Sequence, residues 1–145
     1  MQGEAVISAH KKELQDTAKR FASQVGAQFD VRLDFSVHSL QRLDGVLEQY
    51  IDLSEVYWSD QHDLLPDALA LTAYVGEVFR KVIPDAEWIP DREEDGVPPP
   101  HLYIPPGIRL NLMKKSIEIL TRSDSPSFVS YYQTVREIVQ NQVLE

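Results

Sequence analysis

The sequence predicts a single α+β domain, with about five helices around a central helix over 64–83 and a small antiparallel sheet in 86–110. Three observations carry that expectation. Residues Leu64–Ile83 are apolar around most of a helical circumference, which suits a helix enclosed by other elements. Seven of the nine prolines fall between Pro84 and Pro106, so helix cannot persist there and only short or edge strands fit. On both sides of these segments, apolar residues recur at helical spacing. With 145 residues, 43% of them hydrophobic, the chain can bury one self-sufficient core.

The first helix is expected over Glu4–Val25, where Ile7, Leu14, Ala18, Phe21 and Val25 share a face and Gly26 supplies a stop signal. Phe29–Phe35 alternates apolar and polar residues strictly, as a half-buried strand or an extended linker would. Ser36 is a favourable N-cap for a second helix, along which Val37, Leu40, Leu43, Leu47, Tyr50 and Ile51 recur. Asp52–Asp63 is acidic, aromatic and irregular. Asp63 stands where it could cap the central helix, and Pro66 would sit in the first turn, where a missing N–H costs little.

Along the central helix, Leu65, Leu69, Thr72, Ala73, Gly76, Phe79 and Ile83 form an apolar side. Asp67, Tyr74, Glu77 and Lys81 form a narrow polar stripe with a route to solvent. Small residues at Ala73 and Gly76 would let a neighbouring helix or the Trp88 strand approach closely. Gly76→Ala is therefore expected to be neutral or destabilising, although glycine in a helix interior costs ~0.5–1 kcal/mol relative to alanine.

Short extended pieces are expected at Ala86–Ile89, His101–Ile104 and Ile108–Leu110. Pro105-Pro106-Gly107 is a turn signal between the last two, and 91–100 reads as an exposed loop. Leu110, Met113, Ile117 and Leu120 then form the stripe of a fourth helix. Ser125 as cap and Pro126 as first residue would open a fifth, lined by Phe128, Tyr132, Val135, Val139 and Val143.

The net charge of -9 opposes binding to nucleic acid or to an anionic membrane surface, since phosphate recognition needs a basic face. It suits solubility, and it also suits a basic protein partner. Without cysteine, thiol catalysis, disulfides and thiolate metal sites are excluded. The N-terminus has no basic segment leading into an apolar run, and no stretch is apolar enough to span a bilayer. A cytoplasmic protein is expected.

His10, His38, His62 and His101 are scattered, with no i, i+4 pair and no H-E-x-x-H, so no metal is expected. There is no G-x-S-x-G elbow, P-loop or G-x-G-x-x-G, and no cofactor is expected either. Among the carboxylates, Glu77 is the candidate general base, with Tyr74 or His62 assisting, because a glutamate on an otherwise apolar helix can be desolvated. The plain alternative is an exposed Glu77–Lys81 pair, worth ~0.2–0.5 kcal/mol. Tyr57, Trp58, Asp60 and Asp63 combine aromatic and acidic character, as a surface for a basic protein would, unless Trp58 packs inward. Pro98-Pro99-Pro100 lacks a P-x-x-P with a flanking base and reads as a rigid loop.

The segment Leu33-Asp34-Phe35-Ser36-Val37-His38-Ser39-Leu40-Gln41-Arg42-Leu43-Asp44, then Ala73-Tyr74-Val75-Gly76-Glu77-Val78 and Trp88, is similar to a group of small bacterial domains. Those domains carry an "LDYS…SL..LD" segment, an "AY.GE" helix and a strand with tryptophan. The resemblance covers roughly Leu33 to Tyr132 and departs at Pro98–Pro100. It implies a bacterial origin and a mostly helical α+β domain, and it brings no activity and no site residues.

The expected function is a non-catalytic cytoplasmic interaction domain, such as an immunity or accessory protein, that binds a basic partner. One alternative is a small carboxylate-based enzyme with Glu77 as base. The other is a homo-oligomeric structural module, a homodimer being one form of it, suggested by the amphipathic first and last helices.

Overall fold

The computed structural model describes the backbone of residues 2–54, 61–89, 101–105, 107–120 and 127–144. Side chains are described for 12–48, 68–88, 101–105, 107–120 and 127–141. Within those residues the chain forms α1 (Gln2–Phe29), α2 (Val37–Ser54), α3 (Gln61–Val82), β1 (Glu87–Ile89), β2 (His101–Ile104), β3 (Ile108–Leu110), α4 (Leu112–Leu120) and α5 (Phe128–Leu144). The mostly helical α+β architecture is the one the sequence predicts.

The central helix is α3, which packs most extensively against α1 on one side and α4 on the other, while α2 packs against α5. Leu71, Val75, Val78 and Phe79 are fully buried, so the apolar circumference does mark the core. Its start differs from expectation. The helix begins at Gln61, which puts Asp63 and Pro66 inside it rather than at its cap and first turn. Leu69, placed by periodicity on the core side, is 39% exposed.

Gly26 does not stop α1, which runs on to Phe29. The left-handed residue that ends the helix is Asp30, at φ 53°. The N–H of Val31 then bonds the Gly26 carbonyl at 3.0 Å, the six-to-one bond of a Schellman ending. Glycine serves this return by its size, since a Cβ at Gly26 would lie 2.9 Å from the Val31 carbonyl oxygen. Residues 31–34 form no strand but a linker, with Leu33 buried and Arg32 exposed, which accounts for the alternation.

Ser36 caps α2 as expected, its Oγ accepting the Ser39 N–H at 3.2 Å. The sheet is a three-stranded antiparallel meander in the order β1-β2-β3. Trp88 pairs with Leu102 and Leu102 with Leu110, which sets three buried residues in one row. In α4, the buried face is Leu112, Ser116, Ile119 and Leu120, rotated from the predicted stripe. The rotation centres on Ser116, whose hydroxyl meets that of Thr72 on α3 at 2.8 Å. A small polar pair thus lies where an apolar pattern would not look for it. For α5, Ser125 and Pro126 lie outside the described residues, and Ser127 is the local cap, accepting the Ser130 N–H at 3.0 Å.

Candidate functional site

Besides the Thr72–Ser116 pair, polar side chains of α3 enter the core at Tyr74 and at Glu77, the two catalytic candidates on this helix. At Tyr74 the helix meets the linker and the start of α2. The phenol, fully buried, accepts the Phe35 N–H at 3.1 Å and shares a 2.6 Å bond with Ser39 Oγ. Ser39 Oγ in turn donates to the Ser36 carbonyl at 2.6 Å, so Tyr74 is the donor in the bond they share. The hydroxyls of Tyr74 and Ser39 thus each have a defined direction.

The ring of Tyr74 is clasped by Phe35 and Phe21, with centroids at 4.8 and 5.6 Å. Phe35 adopts φ 64°, a left-handed conformation that costs a bulky residue roughly 1–2 kcal/mol. Tyr74 holds the strained residue by both its N–H and its ring. Burial raises the Tyr74 pKa above that of an ordinary tyrosine, which keeps the phenol protonated.

Asp34 lies at the outer end of this network. Its Oδ1 accepts the Ser36 hydroxyl at 2.5 Å and the Ser36 N–H at 3.2 Å. Arg32 and Arg42 stand 3.6 and 3.8 Å away. The bonds from Ser36 lower the Asp34 pKa below its ordinary value.

At Glu77 the same helix meets β1. One carboxylate oxygen accepts both Trp88 Nε1–H at 2.9 Å and an Arg80 guanidinium N–H at 2.8 Å. The side chain of Glu77 is only 15% exposed, so the predicted surface pair with Lys81 gives way to a largely buried anchor. The neighbouring Gly76 explains how Trp88 comes so near. A Cβ at Gly76 would fall inside the indole, overlapping Cη2 and Cζ2.

The structure does not bring the catalytic candidates together. Glu77 and Tyr74 serve separate networks, with no shared partner among the described residues. His62 lies on the same continuous helix, 15 residues before Glu77, which sets their backbones ~22 Å apart at 1.5 Å per residue. The side chains of His62 and Asp63 are not described, and Tyr57, Trp58 and Asp60 lie outside the described residues. Among the described residues no three of His, Asp and Glu converge as metal ligands would. No helix there is long and apolar enough to cross a membrane.

Three polar residues that matter were not singled out as functional by pattern: Ser39, Ser116 and Asp44. Asp44 sits on α2 and accepts the Phe128 and Val129 N–H groups at 2.9 and 3.1 Å, capping α5 from another helix. Desolvation raises its pKa, and the two N–H bonds oppose that rise. Only the fold joins residues 44 and 128.

A cavity of about 360 Å³ opens between α1, α2 and α3, with Leu43, Leu47, Leu71 and Leu120 below and Arg20 and Gln24 at its edge. No family model, curated protein or solved structure matches the chain.

Proposed function

We propose that this chain is a non-catalytic interaction domain whose partner is a protein with a basic surface. The observation that supports this most is the engagement of Tyr74 and Glu77. Tyr74 holds the strained Phe35, and Glu77 holds Trp88 and Arg80. A general base needs a lone pair within reach of a substrate proton. Glu77 Oε2 is already bonded twice within the scaffold.

The chain's net charge of -9 suits the electrostatic steering of a basic partner. Tyr57, Trp58, Asp60 and Asp63 are the residues proposed to meet it, since aromatic and acidic residues close together in sequence combine an apolar anchor with charge selection. The setting proposed is the bacterial cytoplasm, with the chain as an accessory or immunity-type protein.

The test compares proteins that co-purify with the wild type and with the Asp60→Lys/Asp63→Lys double variant, at low and high salt. A basic protein retained only by the wild type and released by salt is the expected result. Equal retention by both proteins, or retention indifferent to salt, would remove this segment from the reading.

A further inference from the structure

From the cleft between α1, α2 and α3, we infer a binding site for an aliphatic carboxylate, independent of the protein partner proposed above. The cavity of about 360 Å³ lies within the roughly 300–1,000 Å³ typical of ligand pockets. Leu43 and Leu47 from α2, Leu71 from α3 and Leu120 from α4 form an aliphatic floor. Phe21 and Val25 of α1 make the wall, and the contact between Phe21 and Tyr74 helps to fix that wall.

The rim differs in kind from the floor. Thr17, Arg20, Gln24 and Gln28 follow one another at spacings of three, four and four, which puts them on one ridge of α1. All four carry hydrogen-bond donors. The chain has 23 acidic residues against 14 lysines and arginines, yet among the described residues no carboxylate lines the cleft and Arg20 is the one charged group that does.

The guanidinium of Arg20 makes a single described bond, to Thr17 Oγ1 at 3.4 Å. Most of its donor fork therefore points to no protein acceptor among the described residues, and a forked guanidinium matches a carboxylate in bidentate geometry. An aliphatic floor beneath one cation at the edge selects a ligand with an apolar tail and an anionic head. A cationic amphiphile of equal length would gain the same tail contacts and meet repulsion at Arg20.

The experiment titrates octanoate and decanoate, below their aggregation concentrations, into protein carrying labelled leucine methyls. Octyltrimethylammonium is the charge-reversed control. Octanoate is expected to shift the Leu43, Leu47, Leu71 and Leu120 methyls, and decanoate to bind about tenfold tighter through its two extra methylenes. Arg20→Gln lies on an exposed ridge and should leave the urea midpoint unchanged while weakening decanoate binding roughly three- to tenfold. Three results would each overturn the site: unmoved cleft methyls, equal binding of the cationic amphiphile, or decanoate affinity indifferent to Arg20→Gln.

Discussion

At Gly76 the central helix gives up a side chain so that Trp88 can lie against its backbone, whereas two residues earlier, at Tyr74, it buries a hydroxyl and supplies it with partners. Both regions fasten a non-helical segment to α3. The β1 side relies on shape, with a glycine as the hollow, an indole as the filling and Glu77 fixing the indole N–H. The linker side relies on a directed hydrogen-bond chain that reaches from Phe35 through Tyr74 and Ser39 to the Ser36 carbonyl. Shape is lost in proportion to the volume changed. A buried polar chain, by contrast, leaves other members unsatisfied when one is removed.

Substitutions on the two sides of α3 separate these modes. Trp88→Ala should have the largest effect, ~3–5 kcal/mol, because it removes a nearly fully buried indole and leaves a cavity on α3. Gly76→Ala should be destabilising by ~1–3 kcal/mol, since a rigid ring fixed at its nitrogen cannot easily move aside, and Gly76→Leu should cost more. Urea denaturation of the three variants checks the order. A Gly76→Ala protein more stable than wild type would show that helix propensity wins and that Trp88 is loosely seated.

Tyr74→Phe makes the matching test on the other side. It keeps the ring contacts with Phe35 and Phe21 and deletes only the hydroxyl, so the Phe35 N–H loses its acceptor, while Ser39 Oγ loses the donor from Tyr74 and keeps its bond to the Ser36 carbonyl. A loss of ~1–3 kcal/mol is expected. Amide exchange at Phe35 should accelerate more than exchange within α3, because the strained φ loses its tether. Uniform acceleration would mean that the network adds stability without holding the linker.

What was legible in the sequence follows from the same distinction. Close packing at Gly76 could be read because Ala73, Gly76 and Trp88 betray it by size alone. The strands could be read because proline and glycine punctuate them. The burial of Tyr74 could not, since a tyrosine on a polar stripe looks the same whether its hydroxyl meets water or Ser39. Nor could the Thr72–Ser116 and Asp44–Phe128 bonds, which join residues 44 and 84 positions apart. Gly26 was misleading for a local reason: Asp30 adopted the left-handed ending that glycine usually provides.

Glu77→Gln refines the β1 side with a smaller change. A surface glutamate would tolerate it within ~0.5 kcal/mol. The anchor seen here keeps an acceptor for Trp88 but loses the charge facing Arg80, and a loss of ~1 kcal/mol is expected. Tryptophan fluorescence should shift as the acceptor of the Trp88 indole N–H changes from a carboxylate to a neutral amide. An unchanged midpoint together with an unchanged spectrum would return Glu77 to the surface.

The smallest effect expected is a pair of opposing pH dependences. The Asp34 pKa is lowered by its bonds from Ser36, so the folded state binds its proton less readily than the unfolded state, whose value is near 3.8. Its contribution is therefore present above that value and lost as pH falls through the lower folded pKa. Asp44 is raised by desolvation, which reverses the sign. Its contribution is full below 3.8 and lost as pH rises through the higher folded pKa. Asparagine at either position removes the titration while keeping an acceptor. Urea midpoints across the acid range should then show Asp34→Asn losing less stability than wild type as the pH falls. For Asp44→Asn, the difference from wild type should instead shift toward the variant as pH rises above 3.8. If both variants moved in the same direction, the desolvation of Asp44 would not outweigh its two bonds to the N-terminus of α5, and its pKa would be lowered like that of Asp34.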